Sequence, residues 1–197
     1  INLLSYISGL TSVAELGVAV LIGSTRNPIL LAKELATLDQ MSNGRLILGY
    51  ALGGNPKNYR LMDGPDSKRV RHFIESLHVI KALWTEDSPS IQGDFWTFDD
   101  LPMYPKPVQK PHPPLWQVVD SPSSIEFAAK NGLNCLMWLP TIASLKSRFE
   151  IYANAKSEVE QRDVPMGEGI ALVRDCFIAD TLVQAKELAV QHFVRGL

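Results

Sequence analysis

Cysteine is scarce: Cys135 and Cys176 are the only two in 197 residues, and both sit in apolar runs. Buried free thiols in a reducing, cytoplasmic setting are expected from that, rather than a disulfide framework or a metal pair. An excess of one charge is missing too, since 19 basic and 21 acidic side chains leave a net charge of −2. Without a basic surface, neither nucleic acid nor an anionic membrane is an expected partner. No apolar run approaches the roughly 18 residues of a membrane helix. The longest candidate, Leu16–Gly23, is strand-sized. Ile1–Leu10 has neither the basic start nor the cleavage pattern of a secretory leader.

Familiar chemical motifs are also lacking. Gly49, Gly53 and Gly54 do not make the G-x-G-x-x-G dinucleotide fingerprint, and there is no Walker loop. No G-x-S-x-G elbow supports a serine hydrolase. His72 and His78 are six apart and fall on different sides of their helix, while His112 and His192 stand alone, so no metal site is expected. Asp99-Asp100 reads as a solvated turn, because adjacent carboxylates in an extended segment diverge.

What is present is a globular composition, 46% hydrophobic and 20% charged, organised as short apolar runs alternating with helical periods. That alternation predicts βαβ units and a parallel sheet. Strands are expected at Leu16–Ile22, Arg45–Tyr50, Leu115–Val119, Asn134–Leu139 and Gly169–Ala179. The first helix opens at Pro28, with Leu31, Leu35 and Leu38 on one face, and stops at Ser42-Asn43-Gly44. The second spans Ser67–Trp84, with Val70, Phe73, Ile74, Leu77, Ile80 and Trp84 inward. Others are expected from Ser121-Pro122 to Asn131-Gly132, over Ile142–Gln161 (Leu145, Phe149, Tyr152 and Val159 on one side), and over Thr181–Val194. Between them lies an excursion, 88–114, with seven prolines and a possible hairpin at Ile91–Phe98. An excursion that long is either a lid or a structural strap, and its prolines and aromatics favour the strap. The whole chain, 1–197, is read as one domain. Five β/α units fit either an open doubly wound sheet or part of an eightfold barrel, which needs roughly 250 residues when complete.

Ligands of parallel α/β folds bind at the C-terminal ends of the strands. Those ends carry Ser24–Asn27, Ala51–Asn55, Asp120–Ser124 and Leu139-Pro140. Ser121–Ser124 opens a helix, which suits simple N-capping or a phosphate.

The run from Asn27-Pro28 through Ala32, Ala36, Leu38-Asp39, Ser42 and Gly44-Arg45 to Gly49 follows the pattern N/H-P-x-x-x-A-x-x-x-A-x-L-D-x-x-S-x-G-R-x-x-x-G. With Leu83-Trp84-Thr85, Gly93, Phe98 and Pro105–Trp116, it resembles the bacterial luciferase-like monooxygenase family across about residues 16–190. The resemblance implies an α/β TIM barrel, (β/α)8, of which this chain supplies about strands 3 to 7. It implies reduced FMN as cofactor, or alternatively an 8-hydroxy-5-deazaflavin coenzyme. Reduced flavin from a separate flavin reductase would activate O2, and one oxygen atom would enter a small organic substrate. The family often has a non-proline cis peptide behind the flavin ring, which falls at Ala19-Val20. Leu52 and Gly53 would flank ring and phosphate, although some relatives place an arginine where Leu52 stands. Asp120, Ser121 and Ser124 match the family's acidic-Ser-x-x-Ser/Thr phosphate pattern. The first two strands would lie before Ile1 and the eighth after Leu197, so no catalytic acid or base is named and this fragment alone is expected to be inactive. Two alternatives share the barrel: a deazaflavin-dependent dehydrogenase or reductase, and a non-catalytic flavin-binding partner subunit. Open strand edges make a homodimer a further expectation.

Overall fold

The computed structural model describes residues 1–54, 61–62, 68–138 and 140–193. The expected loop positions Asn55-Pro56, the helix start at Ser67, Leu139 and Val194 lie outside the described residues. In chain order the elements are α1 (Asn2–Leu10), β1 (Leu16–Ile22), a 3-10 turn (Gly23–Thr25), α2 (Pro28–Ser42) and β2 (Leu46–Ala51). Next come α3 (Arg69–Thr85), β3 (Ile91–Gln92), β4 (Thr97–Phe98) and β5 (Leu115–Val119). The chain continues with α4 (Pro122–Lys130), β6 (Asn134–Trp138), α5 (Ile142–Glu160), β7 (Ile170–Val173) and α6 (Leu182–Phe193).

Five strands form one sheet in the order β1-β2-β5-β6-β7, every neighbouring pair parallel. Leu46, Leu48 and Tyr50 on β2, Leu115 and Val119 on β5, and Cys135 and Met137 on β6 are buried against the helices. The alternate residues Ile47, Gly49, Trp116 and Leu136 face the opposite, concave side. This is the period-two division of a strand into two faces.

Local sequence explains the helix limits. The Asn27 side chain accepts from the N–H groups of Ile29 at 3.0 Å and Leu30 at 3.1 Å, and Pro28 opens α2 without wasting a donor. Asn43, with φ 55°, ends α2 in the left-handed conformation that Asn tolerates. Helix α3 buries Phe73, Ser76, Leu77, Val79, Ile80, Leu83 and Trp84, and the Trp84 indole N–H donates to the Ala32 carbonyl at 2.9 Å. Val70 and Ile74, expected on that face, are exposed because the row that docks is 72–73, 76–77, 79–80 and 83–84. Val159 is likewise exposed, while Tyr152 is buried and donates to Leu133 O at 3.0 Å.

Three features differ from expectation. Helix α1 was not foreseen; it presents Leu3, Tyr6 and Leu10 to solvent and packs Leu4 against the core. Strand β7 covers only Ile170–Val173, because its ladder with β6 ends at the pair Trp138–Val173. Beyond it no strand partner is present among the described residues, and Cys176 is exposed rather than buried. Cys135 does lie in the core, where burial pushes its thiol up to about 12.

The excursion divides into two parts. Ile91–Gln92 and Thr97–Phe98 pair antiparallel, and the turn between them is fastened to α3. The Glu75 carboxylate there accepts from the backbone N–H groups of Asp94 (3.0 Å), Phe95 (2.9 Å) and Trp96 (2.7 Å). Gly93 is required, because a Cβ there would come within 2.1 Å of that carboxylate. The proline-rich part straps the N-terminal ends of the strands. Lys106 donates to the carbonyls of Leu83 and Glu86 at the C-terminus of α3. Gln109 gives its backbone N–H and its amide to the two Asp39 oxygens at 3.0 and 2.8 Å, and shares the amide with Leu46 O at 2.8 Å. Tyr104-Pro105 and Lys110-Pro111 are cis.

Arg45 organises the same end. Its Nε donates to Ser42 O at 2.7 Å, one terminal nitrogen to Thr11 Oγ1 (3.0 Å) and Ala14 O (2.6 Å), and the other to Ser8 O (3.1 Å) and Thr11 O (2.8 Å). All five guanidinium donors are thus used on the C-terminal ends of α1 and α2 and the approach to β1.

Candidate active site

The opposite, C-terminal ends of the strands hold the candidate site. Its first component is an irregularity in β1. The register with β2 runs Leu16–Leu46, Gly17–Ile47 and Val18–Leu48, then resumes at Leu21–Tyr50, so three steps on β1 oppose two on β2. That is one extra residue, a bulge. The Ala19-Val20 peptide within it is cis, at the position the family resemblance gives. Gly49 accommodates the bulge, since a Cβ there would lie 2.2 Å from the Val18 carbonyl oxygen and 2.9 Å from Val20 Cγ1. Ala19 is exposed on the concave face.

The second component is the concave face itself. Gly17, Val18, Ala19, Ile47, Gly49 and Trp116, with Leu136 and Ala171, border a hollow of about 220 Å³ over the first halves and middles of the strands. Trp138 at the C-terminal end of β6 continues this wall and is 62% exposed. Sequence reasoning missed Trp138 and Trp116. The usable signal was their even spacing from Val118 and Leu136, which sets them on the unburied face of β5 and β6.

The third component is polar. Ser121 caps α4, its side chain accepting from the Ser124 N–H at 3.3 Å. The Ser124 hydroxyl accepts from the N–H groups of Ser121 (3.1 Å) and Asp120 (3.3 Å) and donates to Ser121 O at 2.8 Å. Ser123 Oγ lies 3.2 Å from Ser121 Oγ. The capping expectation therefore describes these hydroxyls well: they bind one another and the first turn. Pro122 has no N–H, which leaves that of Ser123 directed out of the helix end. Asp120 is exposed.

Topology brings Leu52-Gly53 and Asp120-Ser121 to one end, while Ala19-Val20 sits midway along β1 opposite Gly49. Tyr50 pairs with Gln117, so Leu52-Gly53 and Asp120-Ser121 leave adjacent strands side by side. Ala19-Val20 lies on the next strand over, two strand spacings or roughly 10 Å from β5. Leu52 packs partly against the core, and Gly53 has φ +84°, a conformation that favours glycine. Arg26, after the 3-10 turn, and Arg174, after β7, add exposed cations at this end. Among the described residues, no three His, Cys, Asp or Glu side chains converge as metal ligands. Nor is any described helix long and apolar enough to cross a membrane.

Comparison with known proteins supplies context for this geometry. The family profile of luciferase-like monooxygenases matches residues 1–197. The oxygenase component of flavin-dependent trigonelline monooxygenase from Acinetobacter baylyi is 33% identical over 185 residues, 91% of this chain and 50% of that protein. FMNH2-dependent dimethylsulfone monooxygenase from Pseudomonas putida is 33% identical over 116 residues, 57% of this chain and 32% of its own length. The chain thus spans half or less of these relatives. Among solved structures, monooxygenase RslO1 from Streptomyces bottropensis superposes with a TM-score of 0.88 at 24% identity, over 98% of this chain and 59% of that one. Coenzyme F420-dependent tetrahydromethanopterin reductase from Methanopyrus kandleri gives 0.72 at 18% identity, over 87% and 52%. At those identities the structures speak for the fold, a luciferase-like TIM barrel to which this five-stranded parallel sheet corresponds. With a match running from first residue to last, the chain belongs to the luciferase-like monooxygenase family.

Proposed function

We propose that this chain forms the flavin-binding part of a monooxygenase that uses reduced FMN and O2 to insert one oxygen atom into a small organic substrate. The observation that carries the reading is a bare apolar concave face that runs along the sheet up to Trp138, with a helix N-terminus at the C-terminal ends of the same strands. A flavin has the same two halves, a flat ring and a phosphate. Gly49 and Ala19 carry too little side chain to obstruct a ring, Trp116 lies level with them, and Trp138 adds aromatic surface at the C-terminal end of β6. Bound there, reduced FMN supplies the electrons that activate oxygen.

The residues have distinct tasks in this reading. The bulge at Ala19-Val20 supports the back of the ring, and the apolar wall excludes water from it. Leu52 and Gly53 border the ring and the ribityl chain. The Ser123 N–H and the first turn of α4 meet the phosphate, with Ser121 and Ser124 fixing that turn. Asp120 contributes through its backbone, since its carboxylate would repel a phosphate dianion. The phosphate also needs a cation, and Arg26 stands at the right end of the sheet. A separate reductase delivers the reduced flavin, as the words "oxygenase component" in the name of the Acinetobacter relative suggest by analogy.

The test is an anaerobic titration of the protein with reduced FMN, oxidised FMN and the reduced deazaflavin, followed by admission of O2 labelled with a heavy isotope. Preference for reduced FMN, and label in an oxidised organic product, are expected. Preference for the deazaflavin, with hydride transfer and no label, replaces the monooxygenase with a dehydrogenase or reductase. Flavin binding without turnover at any oxygen level points to a binding subunit instead.

A further inference from the structure

Among the described residues, five buried side-chain polar atoms lack a hydrogen-bond partner: Tyr50 Oη, His72 Nδ1, Ser76 Oγ, Trp96 Nε1 and Gln117 Oε1. Such atoms are rare in folded proteins, because each forfeits its bonds to water without replacement. Three of them stand on two facing elements, Tyr50 on β2 and His72 and Ser76 on α3, where the His72 ring also meets Phe95 and Trp96 of the hairpin at 4.9 and 5.8 Å. Tyr50 points from β2 toward α3, where its ring stacks on Phe73 at 5.0 Å between centroids. Ser76 and His72 stand one turn apart on the buried face of α3. The Ser76 hydroxyl lies beside the phenol without a hydrogen bond of ordinary geometry. Nor does it bond back to the carbonyl four residues earlier, the usual recourse of a serine inside a helix. Tyr50, Ser76 and His72 are 2%, 0% and 8% exposed, so bulk solvent does not serve them. Glu75 does not serve them either, since both its oxygens hold the N–H groups of the hairpin turn.

We propose that an ordered water molecule is bound between β2 and α3 by Tyr50 Oη, Ser76 Oγ and His72 Nδ1, and that the phenol it anchors forms the floor of the turn leading into the strand-end site. The donor and acceptor count closes. The water accepts from the tyrosine and serine hydroxyls and donates to Nδ1 of a histidine protonated on Nε2, making the three bonds typical of buried water. Its second hydrogen has an acceptor on the same side of the sheet in Gln117 Oε1, since Gln117 is the register partner of Tyr50. The link to the site is steric. A Cβ on Gly23 would fall 1.7 Å from Tyr50 Cζ and 2.0 Å from its hydroxyl oxygen, so the Gly23–Thr25 turn rests directly on the phenol. Closing that turn is the bond from the Arg26 N–H to Gly23 O at 3.1 Å. None of this depends on which cofactor the site takes.

Two measurements test the proposal. In a high-resolution crystal structure, a water is expected within about 2.7–3.2 Å of at least two of the three atoms. An empty site overturns the proposal, as does a direct Tyr50 Oη–Ser76 Oγ bond that leaves no room for water. Separately, Tyr50→Phe keeps the ring and removes the hydroxyl. It is expected to speed amide hydrogen exchange at Arg26 roughly fivefold while Gly44, at the far end of the sheet, exchanges as in the parent protein. Unchanged exchange at Arg26, or equal acceleration at both amides, removes the role of the phenol in supporting the turn.

Discussion

The two ends of the sheet are built from the same strands and treated in opposite ways. At the N-terminal ends nearly every polar group is spent inward: Arg45 places all its donors, Asp39 fills both oxygens with Gln109, and Lys106 closes the carbonyls at the end of α3. At the C-terminal ends the chain leaves Ala19, Trp138, Asp120 and Ser123 uncovered. A fold that fixes one end by buried polar contacts can vary the other without losing its architecture, which is how parallel α/β barrels separate stability from chemistry.

The comparison breaks first if Arg45 matters less than claimed. Arg45→Ala is expected to cost about 3 kcal/mol, judged against hydrogen bonds to charged groups of about 1.5–3 kcal/mol each that do not add fully. The urea midpoint should fall, while flavin affinity per folded molecule stays the same. Gly49 is the exception that sharpens the division, a structural requirement inside the functional end. Gly49→Ala must push the Val18 carbonyl aside, and about 1–3 kcal/mol of stability is expected to go with it. Here flavin affinity, measured by titration, should fall as well.

Ser121→Ala removes a cap, which costs about 1 kcal/mol in thermal melts. In the proposed site it also weakens FMN by about tenfold, or roughly 1.4 kcal/mol. Leu52→Arg should do the reverse for affinity, and its gain should shrink as salt rises. Unchanged binding in Ser121→Ala moves the phosphate away from α4.

The smallest effect concerns pH. Burial lowers the imidazole pKa of both His72 and His112 below the ordinary value of 6.5. Below 6.5 the unfolded chain therefore binds more protons than the folded one. Stability is full above that value and declines as pH falls through it toward the lowered folded values. Urea midpoints taken across this range should drop on acidification, and His72→Phe should flatten the slope. An identical slope in that variant assigns the loss to other groups.

The architecture was legible because its signals are local. Leu16–Ile22 and Leu115–Val119 show apolar runs of strand length, and Ser121-Pro122 with Ser124 spells a capped helix start. The bulge at Ala19-Val20 has no periodic signature and was visible only through family resemblance, although Gly49 opposite it is its steric trace. Trp138 escaped notice because an unbroken apolar strand does not say which of its faces is covered. The length of β7 was misjudged for a related reason: Arg174–Ala179 has strand-like composition, but a strand exists only where a neighbour pairs with it. The attachment of the strap was unreadable in principle, since nothing near Asp39 announces Gln109.

That attachment has a consequence for the order in which the molecule is made. Seventy residues separate the two partners. At roughly 5–20 residues per second, a ribosome needs about 4–14 s to add that much chain. For that interval the Asp39 carboxylate, fully buried in the finished protein, has no partner in the nascent chain, and α2 and β2 cannot close over it without stranding a charge. The N-terminal third of the chain must therefore wait, loosely assembled, for the proline strap to emerge.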